Sequence, residues 1–149
     1  MSTVLVPGLA IEKQNPDVLF RLCLWAEARG ESVEGKLAVA NVILNRAKAR
    51  RWPIEKVILY SWKGTFHFTS FDPRDPNYFK LQQAHALSPL AYGECDAVAG
   101  LALKGLTDDN TMGATHYYNP AVVTPSWGLG HPTWQDRGMI GNHRFGVQT

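Results

Sequence analysis

The stretch that most constrains this chain is Trp25-Ala26-Glu27-Ala28-Arg29-Gly30-Glu31, with Gly35 to Arg46 behind it. It places a carboxylate near the end of a mostly apolar helix, breaks the chain at Gly30, and restarts it as a second apolar helix. A glutamate held between two packed helices is a candidate general acid, because burial against apolar surface raises a carboxyl pKa. Glu27 has three such influences: Cys23 one turn before it, Trp25 nearby, and the negative end of its own helix, which disfavours an ionised carboxylate. Glu31 and Glu34 fall near a helix start, where the dipole favours the charged form. The same spacing also serves a structural ion pair between Glu27 and Arg21 or Arg29, and for a lone glutamate spacing alone favours that pair.

The elements around this stretch follow from local signals. Asn15-Pro16-Asp17 supplies a cap, a first-turn proline and an acid at the positive end, so a helix starts there. Val18, Leu19, Leu22, Cys23 and Ala26 carry it to Gly30. Ser32 caps the next helix, in which Leu37, Ala38, Val39, Val42, Ile43 and Ala47 are apolar on more than one side, as expected of a central helix. That helix ends at Trp52-Pro53. A short third helix runs from Pro53 through Ile58 and Tyr60. Residues 61–77 are rich in aromatics, prolines and aspartates and read as a loop or short irregular hairpin. Asp75-Pro76 caps a fourth helix through Ala84 and Leu87. Ser88-Pro89 opens a fifth, with Ala97, Val98, Leu101 and Leu103 as its apolar positions. Beyond residue 110, short strands are expected at 114–118 and 143–147, with ordered loop between them. The expectation is an α+β, predominantly helical single domain spanning 1–149 with a small β or irregular portion.

Composition narrows the function classes. The 149 residues are long enough to bury a core, and 45% hydrophobic against 19% charged is globular. A net charge of +2 is too mild to argue nucleic-acid binding, though it tolerates an anionic polymer such as a cell wall. No apolar run approaches the roughly 20 residues that span a bilayer, so no membrane insertion is expected. Residues 1–9 lack a basic segment followed by a long apolar core, so no secretory leader is expected and synthesis in the cytoplasm is. Cys23 and Cys95 are expected as two free thiols rather than a disulfide.

Cleaving a glycosidic bond needs an acid for the leaving oxygen and stabilisation of an oxocarbenium-like centre. Sugar polymers bind along grooves of aromatic faces and short polar side chains, and segments 62–79 and 117–134 supply both. Phe66, Phe68 and Phe71, each taken singly, read more readily as core plugs. Tyr117, Tyr118 and Asn119 precede Pro120, a poor place for a strand interior, and a hydroxyl or amide there could orient a substrate N-acetyl group. His116, His131 and His143 raise zinc chemistry, as in a metal-dependent amidase or peptidase, but no H-E-x-x-H or close Cys/His spacing supports it. No G-x-S-x-G turn supports a serine nucleophile. No metal and no cofactor are expected.

The block Trp25 to Glu31, Glu34-Gly35, Ala38-Val39-Ala40 and Val42-Ile43-Leu44-Asn45-Arg46 resembles the SleB-like cell-wall hydrolase family, which includes spore cortex-lytic enzymes and relatives in proteobacteria and phages. The likeness continues through Phe68-Thr69, Asp72-Pro73 and Asp75-Pro76-Asn77. It returns at Gly113 to Tyr117, Asn119-Pro120, Pro125, Trp127 and Gly141-x-His143-x-Phe145, so it covers about 17–146. His67 stands where the family usually has Gln, and Phe71 where it often has Trp. The resemblance implies a lysozyme-like domain acting on peptidoglycan glycan strands, with Glu27 as the acid/base of a lytic transglycosylase that cuts the MurNAc–GlcNAc bond. Such an enzyme needs one carboxylate; a water-using muramidase is the alternative, with Asp72, Asp75 and Asp136 as possible second acids. An amidase or peptidase and a non-catalytic wall-binding module are the rivals of other classes. Tyr117 and Asn119, then Thr69, His67 and Phe68, are the expected sugar-binding residues. A short domain without a leader resembles a phage endolysin, expected as a monomer that reaches the cell wall from the periplasm through a holin-type pore.

Overall fold

The computed structural model describes residues 4–149; residues 1–3, part of the segment read above for a leader, lie outside it. Helix α1 spans Pro16–Ala28. Asn15 opens it by accepting from the Val18 backbone N–H at 3.0 Å, with Pro16 at the first position. Helix α2 spans Val33–Arg50 and is capped by Ser32, whose hydroxyl accepts from the Gly35 N–H at 3.2 Å. It closes on Arg51 in the left-handed region, φ +56°. Short helix α3, Ile54–Leu59, follows, then a hairpin of strands β1, Ser61–Trp62, and β2, Thr65–Phe66.

Where one fourth helix was expected there are two single turns, α4 at Tyr78–Leu81 and α5 at Ala84–Leu87. Gln82 and Gln83 interrupt them: Gln83 leaves helical geometry at φ −112°, ψ 10°, and its N–H bonds Lys80 O three residues back. Helix α6, Pro89–Leu103, matches the expected fifth, but its buried face differs. Cys95, Val98, Ala99 and Ala102 point inward at a regular i, i+3, i+4, i+7 spacing, while Ala97 and Leu101 face solvent.

The β portion is larger than expected. Strands β3, His116–Tyr118, and β5, His143–Val147, fall in the expected places, and a third strand, β4 at Gln135–Ile140, lies in what was read as loop. All pairs are antiparallel, in the order β3-β5-β4.

Helix α2 holds the molecule together. Val39, Ala40 and Ile43 pack into the main core with α1, α3 and α6, whereas Ala38 and Val42 pack with Ala114 and Phe145 beneath the sheet. Val39–Ile43 and Ala38–Val42 are each four residues apart, on two stripes about 100° apart around one helix. Helix α6 is further tied on by two ion pairs, Arg21–Asp96 from α1 and Lys36–Glu94 from α2. No helix among the described residues is long and apolar enough to cross a membrane. The fold is α+β and mostly helical.

Candidate active site

Helix α1 is buried on almost every side, from Val18 through Trp25 and again at Ala28. Glu27 is therefore carried to the end of a core helix with limited access to water. It does not form the ion pair that spacing allowed. Arg21 turns to Asp96 and to the Asp17 carbonyl; Arg29 bonds the Trp25 and Ala26 carbonyls and lies 4.3 Å over the Trp25 ring. The direct partner of Glu27 is Tyr117 on β3, whose hydroxyl donates to Glu27 Oε1.

Three influences set the protonation of Glu27. Burial pushes its pKa above the ordinary carboxylate value, while the Tyr117 bond and the Arg46 charge pull it down, and burial prevails. The Tyr117 phenol is itself pushed well up, by burial first and then by the Glu27 charge, so it stays a donor. Cys23, one turn earlier on α1, is buried and raised for the same two reasons, which leaves it a thiol. Cys23 and Cys95 are both buried and unbonded.

Glu27 opens into a cleft of about 390 Å³ that Arg46, His67, Phe68, His116, Tyr117 and Trp127 also line. Arg46 sits on the buried side of α2, donates through Nε to the Thr115 carbonyl at 2.5 Å and lies 5.5 Å over the Phe68 ring. Burial, with the neighbouring Arg50 charge, lowers its pKa, and the nearby Tyr117, Cys23 and Glu27 raise it back in part. His67 and His116 are pushed down, His116 to about 3, by desolvation first and then by Arg46 and Arg50. Both rings are neutral near pH 7 and can exchange hydrogen bonds without adding charge. Trp127 stands 5.4 Å from His116 and packs on Tyr118 and Trp134, which fixes its plane at the cleft edge.

Of the residues singled out by sequence, Glu27, Tyr117, His67 and Phe68 come together here; Thr69 and Asn119 do not. Thr69 starts a 3-10 turn, Thr69–Phe71, and its carbonyl accepts from the Asp72 N–H. The Asn119 side chain accepts from the Ala121 N–H at 3.0 Å, and its carbonyl accepts from Val122 and Val123. An asparagine before Pro120 is thus used to close a turn. Phe68 is both things proposed for it, a core residue at 2% exposure and a wall of the cleft.

Arg46, His116 and Trp127 were not picked out as site residues. For Arg46 a signal existed: it falls three residues after Ile43, so a charge lands on a buried helical stripe, where it needs a reason. Trp127 lies in Gly- and Pro-rich loop, and nothing local says which way it faces. Glu27 is the one carboxylate lining the cleft among the described residues. Asp72 is held by Arg74, Asp75 accepts from the Asn77 N–H, and Asp136 accepts from Arg144 and Trp134. Glu31 accepts two bonds from Asn142; these, with His143 and Lys36, outweigh its burial and keep its pKa low. The three histidines considered for zinc lie apart: His116 on Thr115, His131 on Thr133, and His143 against Glu31 and Tyr117. Among the described residues no three His, Cys, Asp or Glu side chains gather to hold a metal ion.

An acid of raised pKa in an aromatic cleft suits bond cleavage in a polymer of sugars. The model of the cell wall hydrolase family matches residues 30–146, which is most of the chain. This chain belongs to the cell wall hydrolase family. It is 29% identical over 138 residues to a spore cortex-lytic enzyme of Oceanobacillus iheyensis; the alignment covers 89% of this chain and 41% of that protein, so the chain spans less than half of that relative's length. No solved structure matches the chain. The family match takes in Arg46, His67, Phe68, His116, Tyr117 and Trp127. It begins just past Glu27, so the role of that side chain in this cell wall hydrolase rests on its surroundings.

Proposed function

We propose that this cell wall hydrolase degrades peptidoglycan by cutting the glycosidic bond between N-acetylmuramic acid and N-acetylglucosamine, as a lytic transglycosylase with Glu27 as its acid and base. The observation that carries the reading is a single carboxylate of raised pKa, gripped by a phenol, in a cleft that no second carboxylate lines. Protonated Glu27 donates to the leaving oxygen, and the C1–O bond breaks towards an oxocarbenium-like centre. The Glu27 carboxylate then takes the proton of the muramyl 6-hydroxyl, whose oxygen closes on C1. The product carries a 1,6-anhydro ring, no water is consumed, and the acid is restored. Tyr117 steadies the carboxylate between the two steps, and the Arg46 charge lowers the cost of forming it.

The second reading is hydrolysis by water. Retaining and inverting mechanisms both use a second carboxylate, and Asp72, Asp75 and Asp136 are engaged in turn and sheet bonds instead. Mass spectrometry of digested, purified cell walls tests the choice. Anhydro-muramyl ends are expected; free reducing ends would mean a muramidase, and new peptide amino groups with the glycan left uncut would mean an amidase or peptidase. The corresponding biological role, proposed from the resemblance to phage relatives, is that of an endolysin acting on the wall from the periplasmic side.

A further inference from the structure

A second pocket adjoins the cleft. It measures about 490 Å³, is lined by Arg50, Trp52, Tyr60, Trp62 and His67, and shares His67 with the Glu27 cleft. Its walls are built to hold shape. The β1–β2 hairpin turns through Lys63 and Gly64, both at positive φ (51° and 81°), the conformation that suits a two-residue hairpin turn. Arg74, itself held by Asp72, donates to the Gly64 carbonyl and pins that turn. The hairpin presents Trp62 at 63% exposure, an unusual position for the largest aromatic side chain.

Charge distinguishes this pocket from the cleft. Arg50, the charged side chain of its lining, lies 5.1 Å over the Trp52 ring and 5.8 Å from Tyr60; outside the lining, Lys56 lies 4.2 Å over Trp52 and Lys63 5.8 Å from Trp62. No carboxylate lines the pocket, and among the described residues Arg50, Lys56 and Lys63 form no ion pair. Cations resting on aromatic faces keep most of their attraction for an incoming anion, because a ring quadrupole neutralises far less than a carboxylate does. An unsubstituted sugar brings no charge to such a place. A muramyl residue does: its lactyl group carries a short peptide arm with free carboxylates and apolar side chains, tethered beside the bond that is cut.

We infer that the Arg50–Trp52–Tyr60–Trp62 pocket receives the acidic peptide arm of a muramyl residue bound in the adjoining cleft, so that this chain prefers peptide-substituted glycan to denuded glycan. The inference rests on the glycosidic reading above. Charge complementarity, the apolar ring faces and the shared His67 wall all select this occupant over a further stretch of plain sugar.

The test compares KM on peptide-bearing glycan strands and on the same strands stripped of peptide by an amidase. The wild-type chain should show a KM lower by roughly three- to tenfold on the peptide-bearing strands, as one or two charge-assisted contacts supply. Arg50→Ala and Trp62→Ala should each bring that ratio towards one. Trp62 is mostly exposed, so its truncation leaves the core untouched. A wild-type ratio of one, or variants that weaken both substrates equally, would overturn the inference, the latter outcome pointing to a sugar subsite or to a structural role. Should neither polymer be cut, the glycosidase reading fails, and the pocket is judged by binding to Glu27→Gln protein alone. A soluble disaccharide–tetrapeptide should then bind more tightly than N-acetylglucosamine tetramer, with the advantage lost in high salt and in Arg50→Ala. Equal or salt-insensitive binding of the two would overturn it.

Discussion

Glu27 is placed where burial and a phenol act against each other, and that opposition makes its behaviour predictable. Burial lifts its pKa above 4.5 in the folded chain, so folding favours the protonated acid. Below pH about 4.5 folded and unfolded chains both hold the proton and nothing is lost. As pH rises from there through the raised folded value, the unfolded chain ionises first and stability falls. Glu27→Gln has no charge to bury, so it should melt above wild type at about pH 7, with the gap closing at about pH 4; thermal scans across that range check it. A wild type that gains stability relative to the variant as pH rises would contradict the raised pKa. Tyr117→Phe removes the bond that favours the carboxylate, so Glu27 should hold its proton to higher pH. The alkaline limb of the pH–rate profile should move up, and kcat should drop on the order of tenfold. Asn119→Ala should instead loosen its turn by about 1 kcal/mol and leave the pH–rate profile where it was, because its amide is committed to the Ala121 N–H.

At the level of elements, helix α2 works as a two-sided partition, with Val39 and Ile43 towards the helices and Ala38 and Val42 towards the sheet. The sheet that it supports brings Tyr117 to Glu27, so sheet packing and site geometry are one problem. Gly146 on β5 is the tight point: a Cβ there would lie 2.2 Å from the Trp134 ring. Gly146→Ala should therefore lower stability by about 1–3 kcal/mol, read by chemical denaturation, and should displace Trp134 from its packing on Tyr118 and Trp127. The helices were legible because their ends are written locally, by Asn15-Pro16, by Ser32 and by Trp52-Pro53. Strand β4 was not. Gln135-Asp136-Arg137-Gly138-Met139-Ile140 has no β-branched residue before its last position, and its register shifts between Asp136 and Gly138, with Gly138 at φ +88°. That irregularity hides the alternation by which strands are recognised. The exposed Leu101 misled in the other direction: α6 buries small residues, Cys95, Ala99 and Ala102, because it packs close against α1 and α2.

Taken as a whole, the molecule sets a helical core against a small sheet and opens its cleft where the two meet. The burial that raises the Glu27 pKa was legible in part, because Cys23 precedes it by one turn on the same apolar helix; Trp25 instead lies under Arg29. The phenol partner of Glu27 comes from 90 residues away, and Arg46, His116 and Trp127 reach the cleft only through the packing of α2 against the sheet. No spacing rule carries that information. Asn119 and Thr69 lie outside the cleft lining, with the Asn119 amide oxygen and the Thr69 carbonyl engaged in turns. The proposed chemistry depends on position 27. The most direct measurement is the rate at which purified cell walls are solubilised by wild type and by Glu27→Gln at equal concentration, with both shown folded by circular dichroism. The predicted result is a folded variant slower by about a thousandfold. A folded Glu27→Gln protein that solubilises walls within a fewfold of the wild-type rate would contradict it.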